Sequence, residues 1–191
     1  MALLSGGEII IDYLIKEGVT HIFGVPGHGN LGLMDAIKHR QDKITPILVR
    51  HEETAVFMAD AFYRVSHRPA ATFSSCGPGS INVLIGMAEA MANSIPLMTI
   101  TGNVSSDQFN SGALQETYYH QAGDFPQVAR HFAKRSFPIT RLDRLPRLLA
   151  NAFKTMITGR MGPVNIDVPY DFFVEKVDRN SFCNISDLFA F

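Results

Sequence analysis

Cysteine is scarce in this chain of 191 residues: Cys76 and Cys183 are the only two, far apart and in no CxxC pair. That excludes a disulfide-stapled scaffold and a cysteine-rich metal module, and it suits a reducing, cytoplasmic setting. No apolar stretch approaches the ~20 residues of a membrane helix before Gly, Pro or a charge breaks it, so no membrane partner is expected. The N-terminus, Met1 to Glu8, has no basic region, and Glu8 and Asp12 interrupt any signal-like apolar run. Charge of one sign is lacking as well. A formal net charge of −1 and a pI near 6.6 leave no field for nucleic acid or an anionic membrane. There is no G-x-S-x-G elbow, no H-E-x-x-H, no paired Cys/His set and no basic–aromatic interleaving. Serine hydrolase, zinc-enzyme and base-stacking functions lose their support, and no metal ligands are expected within the chain. No repeat or low-complexity segment occurs.

What is present is a core-forming composition, 46% hydrophobic and 18% charged, enough for one substantial core. Short apolar runs alternate with amphipathic stretches. A helix is expected over 5–17, with Ile9, Ile10, Tyr13 and Leu14 on one face and Gly18 as its stop. Strands are expected near 21–25, 45–49, 70–75, 96–101, 136–139 and 164–168. Helices are expected near 31–38, 52–65, 80–93, 126 and 142–158. Strands of four to six residues separated by longer helices predict an α/β fold: three αβα layers around a mostly parallel sheet of about six strands. Ligands bind outside the carboxyl ends of such strands. That directs attention to the loops at 24–30, 50–53, 75–80 and 102–120.

Three segments carry the chemistry. Gly27-His28-Gly29-Asn30-Leu31-Gly32 matches the dinucleotide fingerprint literally, with Glu52 downstream as its acidic residue. The preceding Gly24, Pro26 and Gly27 already form a stiff turn, and His28 separates the glycines, which argues for a tight loop instead. In Val49-Arg50-His51-Glu52-Glu53-Thr54, two acids open a helix. Either complements the helix dipole by ~0.3–1 kcal/mol; Glu52, nearer the strand end, is also placed to face the crevice and exchange a proton. Ser74-Ser75-Cys76-Gly77-Pro78-Gly79-Ser80-Ile81-Asn82 reads as a tight strand–helix turn capped by Ser80 or Asn82, without the lysine of a phosphate loop.

These segments, with Ile22-Phe23-Gly24-Val25-Pro26-Gly27, Met58-Ala59-Asp60-Ala61-Phe62-Tyr63-Arg64, Pro96-Leu97-Met98-Thr99-Ile100-Thr101-Gly102, Leu114-Gln115-Glu116-Thr117, His131-Phe132-Ala133-Lys134 and Gly162-Pro163-Val164-Asn165-Ile166-Asp167-Val168-Pro169, stand in the order seen in thiamine-diphosphate-dependent enzymes. The chain resembles their N-terminal pyrimidine-binding domain, most closely that of acetohydroxyacid (acetolactate) synthase and its relatives, over about residues 5–173. The resemblance implies a flavodoxin-like fold, with residues 1–175 as the domain and 176–191 as a linker or tail toward a missing domain. It also implies decarboxylation of a 2-oxo acid such as pyruvate followed by carboligation, with no activity in isolation. Glu52 matches the glutamate that hydrogen-bonds N1′ of the aminopyrimidine and favours its imino tautomer. Asp would be one methylene short and Gln could not pass the proton. Pro26, Gly27, Gly29, Gly77, Pro78, Gly79 and Asn82 match positions bordering the cofactor, while His28, Gln115 and Lys134 match the substrate side.

Departures from the pattern shape the expectation. His28 and Asn30 replace small residues of the synthases and look more like the ring-opening diketone hydrolases of the same superfamily. Glu53-Thr54 replaces the usual Gln-Gly or Gln-Ala. The Gly-Asp-Gly motif that holds magnesium and diphosphate is missing; Gly123-Asp124-Phe125 with Asn151 mimics only its spacing. The resemblance therefore implies that Mg2+ and the diphosphate are held by a diphosphate-binding domain of a partner subunit, in a homodimer or tetramer, with FAD possible in a full enzyme. A pyrimidine-binding subunit of a two-chain oxo-acid decarboxylase and a dinucleotide-binding module remain as alternatives.

Overall fold

The structure is a computed structural model and describes residues 3–116 and 124–178. Thr117, Gly123, Cys183 and the segment 179–191 lie outside the described residues. The chain opens with β1 (Leu3–Ser5) and α1 (Gly6–Lys16), followed by β2 (His21–Gly24), α2 (Leu31–Lys38), β3 (Thr45–Leu48) and α3 (Glu52–Ser66). β4 (Ala70–Ser74), α4 (Pro78–Asn82), α5 (Leu84–Ala92) and β5 (Leu97–Asn103) come next. The remainder is α6 (Phe125–Ala129), β6 (Arg135–Pro138), α7 (Leu145–Ile157), β7 (Val164–Pro169), α8 (Tyr170–Val174) and β8 (Lys176–Asp178).

Six strands form one fully parallel sheet in the order β3-β2-β4-β5-β7-β6. Two apolar clusters cover its faces. One joins α1, α2, α7 and α8 to Ile22, Phe73, Ile100 and Ile166; the other joins α3, α5 and α6 to Phe23, Ala70 and Leu97. The expected three-layer α/β architecture is what forms. Local signals account for its helices. Ser5 accepts a hydrogen bond from the Glu8 N–H, and the Glu8 carboxylate accepts one from the Ser5 N–H, closing a capping box at α1. Gly18 stops that helix at φ +80°.

Four details differ from the sequence expectation. The helix expected over 80–93 is divided at Val83 into α4 and α5, and α4 begins earlier, with Pro78 in its first turn. The helix expected from 142 begins as a 3-10 turn, Leu142–Arg144, before Pro146 opens α7. α8 follows β7 directly. Finally, residues 176–178, assigned to a linker, are β8, which pairs antiparallel with β1 as Leu3 with Asp178, Leu4 with Val177 and Ser5 with Lys176.

One sheet face is polar beneath its helices. Thr72 and Ser74 of β4, Thr99, Thr101 and Asn103 of β5, Asn165 and Asp167 of β7 and Ser136 of β6 are all buried. Register aligns them, Thr72 with Thr99 with Asn165 and Ser74 with Thr101 with Asp167. Most are paired, as burial demands. Asp167 accepts from Thr101 Oγ1 and Asn103 Nδ2, each at 2.7 Å, and Ser136 Oγ donates to Asn165 Oδ1 at 2.7 Å. The Thr72 and Ser74 hydroxyls have no partner among the described residues.

Candidate functional site

The strand order reverses around β2: α2 crosses one face to reach β3, and α3 crosses the other to reach β4. That reversal opens a crevice at the carboxyl ends of β2 and β4, where ligands of such sheets sit. Four segments meet there: the loop after β2, the head of α3, the turn from β4 into α4, and the end of β5.

The loop after β2 is pinned by its own side chains. Asn30, fully buried, accepts at Oδ1 from the Gly27 N–H at 2.9 Å and donates from Nδ2 to the Val25 carbonyl at 3.1 Å. Gly29 donates its N–H to Ser75 Oγ at 3.1 Å. A Cβ on Gly29 would meet Cys76 Sγ at 2.9 Å, and one on Gly32 would meet Phe173 Cβ at 2.8 Å. These glycines are spent on packing against protein, so the literal dinucleotide fingerprint is a loop–sheet contact here.

The β4–α4 turn needs Gly77 for its backbone, at φ +63°, a region that costs residues with a side chain. Ser80, expected as a helix cap, caps nothing. Its Oγ donates to the Ser75 carbonyl at 2.9 Å and lies 3.3 Å from the Gly102 carbonyl, tying the turn to β5. Asn82 leaves the cap too and donates from Nδ2 to Glu52 Oε2 at 2.9 Å.

Glu52 is half-buried at the first position of α3. One carboxylate oxygen holds Asn82, and the other faces Gly79, where an added Cβ would lie 3.2 Å away. Only a residue without a side chain lets the turn lie this close to the Glu52 carboxylate. Glu53, beside it, lies 4.0 Å from His51 Nδ1 and takes no part in the cluster. Cys76 is buried and its thiol is pushed up chiefly by that burial, so it stays protonated at neutral pH; its Sγ lies 3.5 Å from Gln115 Oε1.

The structure brings Gly27, Gly29, Glu52, Gly77, Pro78, Gly79 and Asn82 together, with Gln115 packed on Gly77 (2.8 Å from the position of its missing Cβ). Pro26 and His28 lie exposed on the same loop, and the His28 ring stacks on Tyr170, 4.8 Å between centroids at 17°. Lys134 is elsewhere: it precedes β6, at the amino-terminal ends of the strands, and donates to the Thr158 carbonyl at 2.7 Å. Within this chain it does not join the Glu52 cluster. Asp124 caps α6 by accepting from the Gln127 N–H, and Asn151 is exposed on α7, so their diphosphate-like spacing is coincidental. Ser75, Asn30 and Ser80 escaped sequence reasoning as loop-holding residues: Asn30 folds back on its own loop at Val25 and Gly27, while Ser75 and Ser80 reach Gly29 and Gly102 of other segments. No three His, Cys, Asp or Glu side chains form a metal-holding group among the described residues.

Comparison with known proteins gives the cluster its context. The family described as "Thiamine pyrophosphate enzyme, N-terminal TPP binding domain" matches residues 4–123. The acetolactate synthase large subunit of Buchnera aphidicola (subsp. Schizaphis graminum) is 37% identical over 182 residues, 95% of this chain and 30% of that protein. That of Haemophilus influenzae is 38% identical over 171 residues, 90% of this chain and 29% of the relative. The isozyme 3 large subunit of Escherichia coli is 36% identical over 171 residues, with the same coverage of 90% and 29%. The chain thus spans less than a third of the length of these relatives. With two-thirds of the sheet and the Glu52 cluster inside the matched residues, the chain belongs to the thiamine pyrophosphate enzyme family, as its N-terminal TPP binding domain.

Proposed function

We propose that this chain is the pyrimidine-activating half of a thiamine-diphosphate-dependent enzyme of the acetolactate synthase type, acting on a 2-oxo acid such as pyruvate and joining the product to a second carbonyl compound. The observation that carries this is Glu52. Its carboxylate is anchored on one oxygen by Asn82, with the other beside the side-chain-free Gly79, in a chain similar to acetolactate synthase large subunits.

The residues present fit the pyrimidine end of that cofactor. Glu52 would accept a hydrogen bond from, or share a proton with, a ring nitrogen; Gly29, Gly77, Pro78 and the side-chain-free Gly79 would border the ring; and Gln115 would lie at its edge. When bound, thiamine diphosphate supplies the electron sink that lets a 2-oxo acid lose carbon dioxide. Asn82 keeps the Glu52 carboxyl in one rotamer, so the proton is exchanged at a fixed point; such positioned proton transfer is worth ~10²–10⁴ in rate. The pinned Gly27–Asn30 loop and the Ser80 tie hold the walls rigid.

The sequence lacks the Gly-Asp-Gly motif with which the family holds magnesium and diphosphate. We therefore assign both to a diphosphate-binding domain contributed by a partner subunit, in a homodimer or tetramer, with FAD an optional further component. The cytoplasm is the proposed location, although similar proteins include chloroplastic and mitochondrial synthases. None of the helices among the described residues is long and apolar enough to cross a membrane.

The test is Glu52→Gln in the enzyme completed by its diphosphate-binding domain. Gln keeps an acceptor for Asn82 Nδ2, so stability should fall by no more than the ~0.3–1 kcal/mol of the lost helix-dipole interaction, while carbon dioxide release from pyruvate falls by about a hundredfold or more. Unchanged turnover would refute the assignment.

A further inference from the structure

His28 stands out at the crevice because its ring is held on its face and free at its edge. Its imidazole lies parallel to the Tyr170 ring, 4.8 Å away at 17°, yet no hydrogen bond to either ring nitrogen is made among the described residues. Both platforms are rigid. The His28 backbone sits between Gly27 and Gly29, which are fixed by Asn30 and Ser75. Tyr170 follows β7 directly, and the next residue, Asp171, accepts from the Ser106 N–H at 2.9 Å and from Ser106 Oγ at 2.5 Å. Phe173, one turn on, is fully buried. An exposed side chain ordered this way gives up rotamer freedom without a polar partner in return. Such pre-organisation lowers the cost of binding a ligand that supplies the partner.

We propose that Tyr170 is a positioning residue: it fixes His28 at the mouth of the crevice so that an imidazole edge meets the carboxylate or carbonyl oxygen of the second substrate, an oxo acid or a diketone. This rests on the functional reading above, since the substrate enters beside Glu52. The aromatic face of residue 170 does the positioning, and its hydroxyl is dispensable, because parallel stacking uses the ring alone.

Two measurements separate the proposal from that reading. On the 191-residue chain, the His28 Cε1 proton should show an upfield ring-current displacement by NMR, retained in Tyr170→Phe and lost in Tyr170→Leu. Loss of the displacement in neither variant, or in both, overturns the stacking role whether or not the enzyme turns over oxo acids. In the completed enzyme, Tyr170→Leu should raise the KM for the second substrate about tenfold, and Tyr170→Phe should restore it. In a His28→Ala background Tyr170→Leu should add less than about twofold, the signature of coupled residues. An equal effect in both backgrounds would make Tyr170 a purely structural residue and overturn the proposal.

Discussion

Replacing Asp167 with Asn should make the protein's stability less dependent on pH. Asp167 is 2% exposed on β7, and burial pushes its carboxyl up to about 7 from an ordinary 3.8, with nearby Asp124 adding to the rise. The hydrogen bonds from Asn103 Nδ2 and Thr101 Oγ1 favour the charged form and offset part of that desolvation. Because the folded state holds its proton more tightly than the unfolded chain, the folded state binds more protons between these two values. Stability from this group is therefore full below about 3.8 and is lost as pH rises through about 7. A difference of roughly 3 units at ~1.36 kcal/mol each gives a loss on the order of 4 kcal/mol. Asn at this position offers an oxygen to Asn103 and an amide N–H to Thr101 Oγ1, whose own proton turns to the Ile166 carbonyl, 3.4 Å away. Urea unfolding of both proteins across this range should show the wild type losing ~4 kcal/mol relative to Asp167→Asn, with the gap constant above the upper value. Parallel curves, or a wild type that gains on the variant as pH rises, would refute the reasoning.

Two structural predictions follow from packing and capping. Gly86→Ala places a Cβ 2.5 Å from Val56 Cβ where α5 crosses α3; overpacking of this kind costs ~1–3 kcal/mol, so calorimetry should show Tm lower by roughly 3–10 °C. Ser5→Ala removes the acceptor 3.2 Å from the Glu8 N–H and should cost ~1 kcal/mol, with faster amide exchange in the first turn of α1 and none of the effect in α7.

The strands and helices that carry the sheet were legible because their patterns are local. Ile9, Ile10, Tyr13 and Leu14 mark α1 by period, and the all-apolar Ile22-Phe23 marks a strand buried on both faces. β1 and β8 were not legible: each is three residues long, and only their pairing across the whole domain makes them strands. The polar sheet face was hidden for a related reason. Thr72, Thr99 and Asn165 look like ordinary strand residues until register stacks them side by side.

The site was legible unevenly. Glu52 could be suspected from its place between a strand and a helix, but its anchor, Asn82, comes from α4 and was open to reading as a helix cap. The literal G-x-G-x-x-G misled because glycine spacing records close approach without saying to what; here the neighbours are Cys76 and Phe173. Tyr170 carried no signal at all, since nothing in the sequence brings it to His28.

The central claim is that Glu52 activates the pyrimidine, and the most direct measurement is the rate at which the completed enzyme exchanges the C2 proton of bound thiamine diphosphate for deuterium. The account predicts that Glu52→Gln slows this exchange by about 10²–10⁴ while leaving the fold intact. Exchange at the wild-type rate in that variant would contradict it.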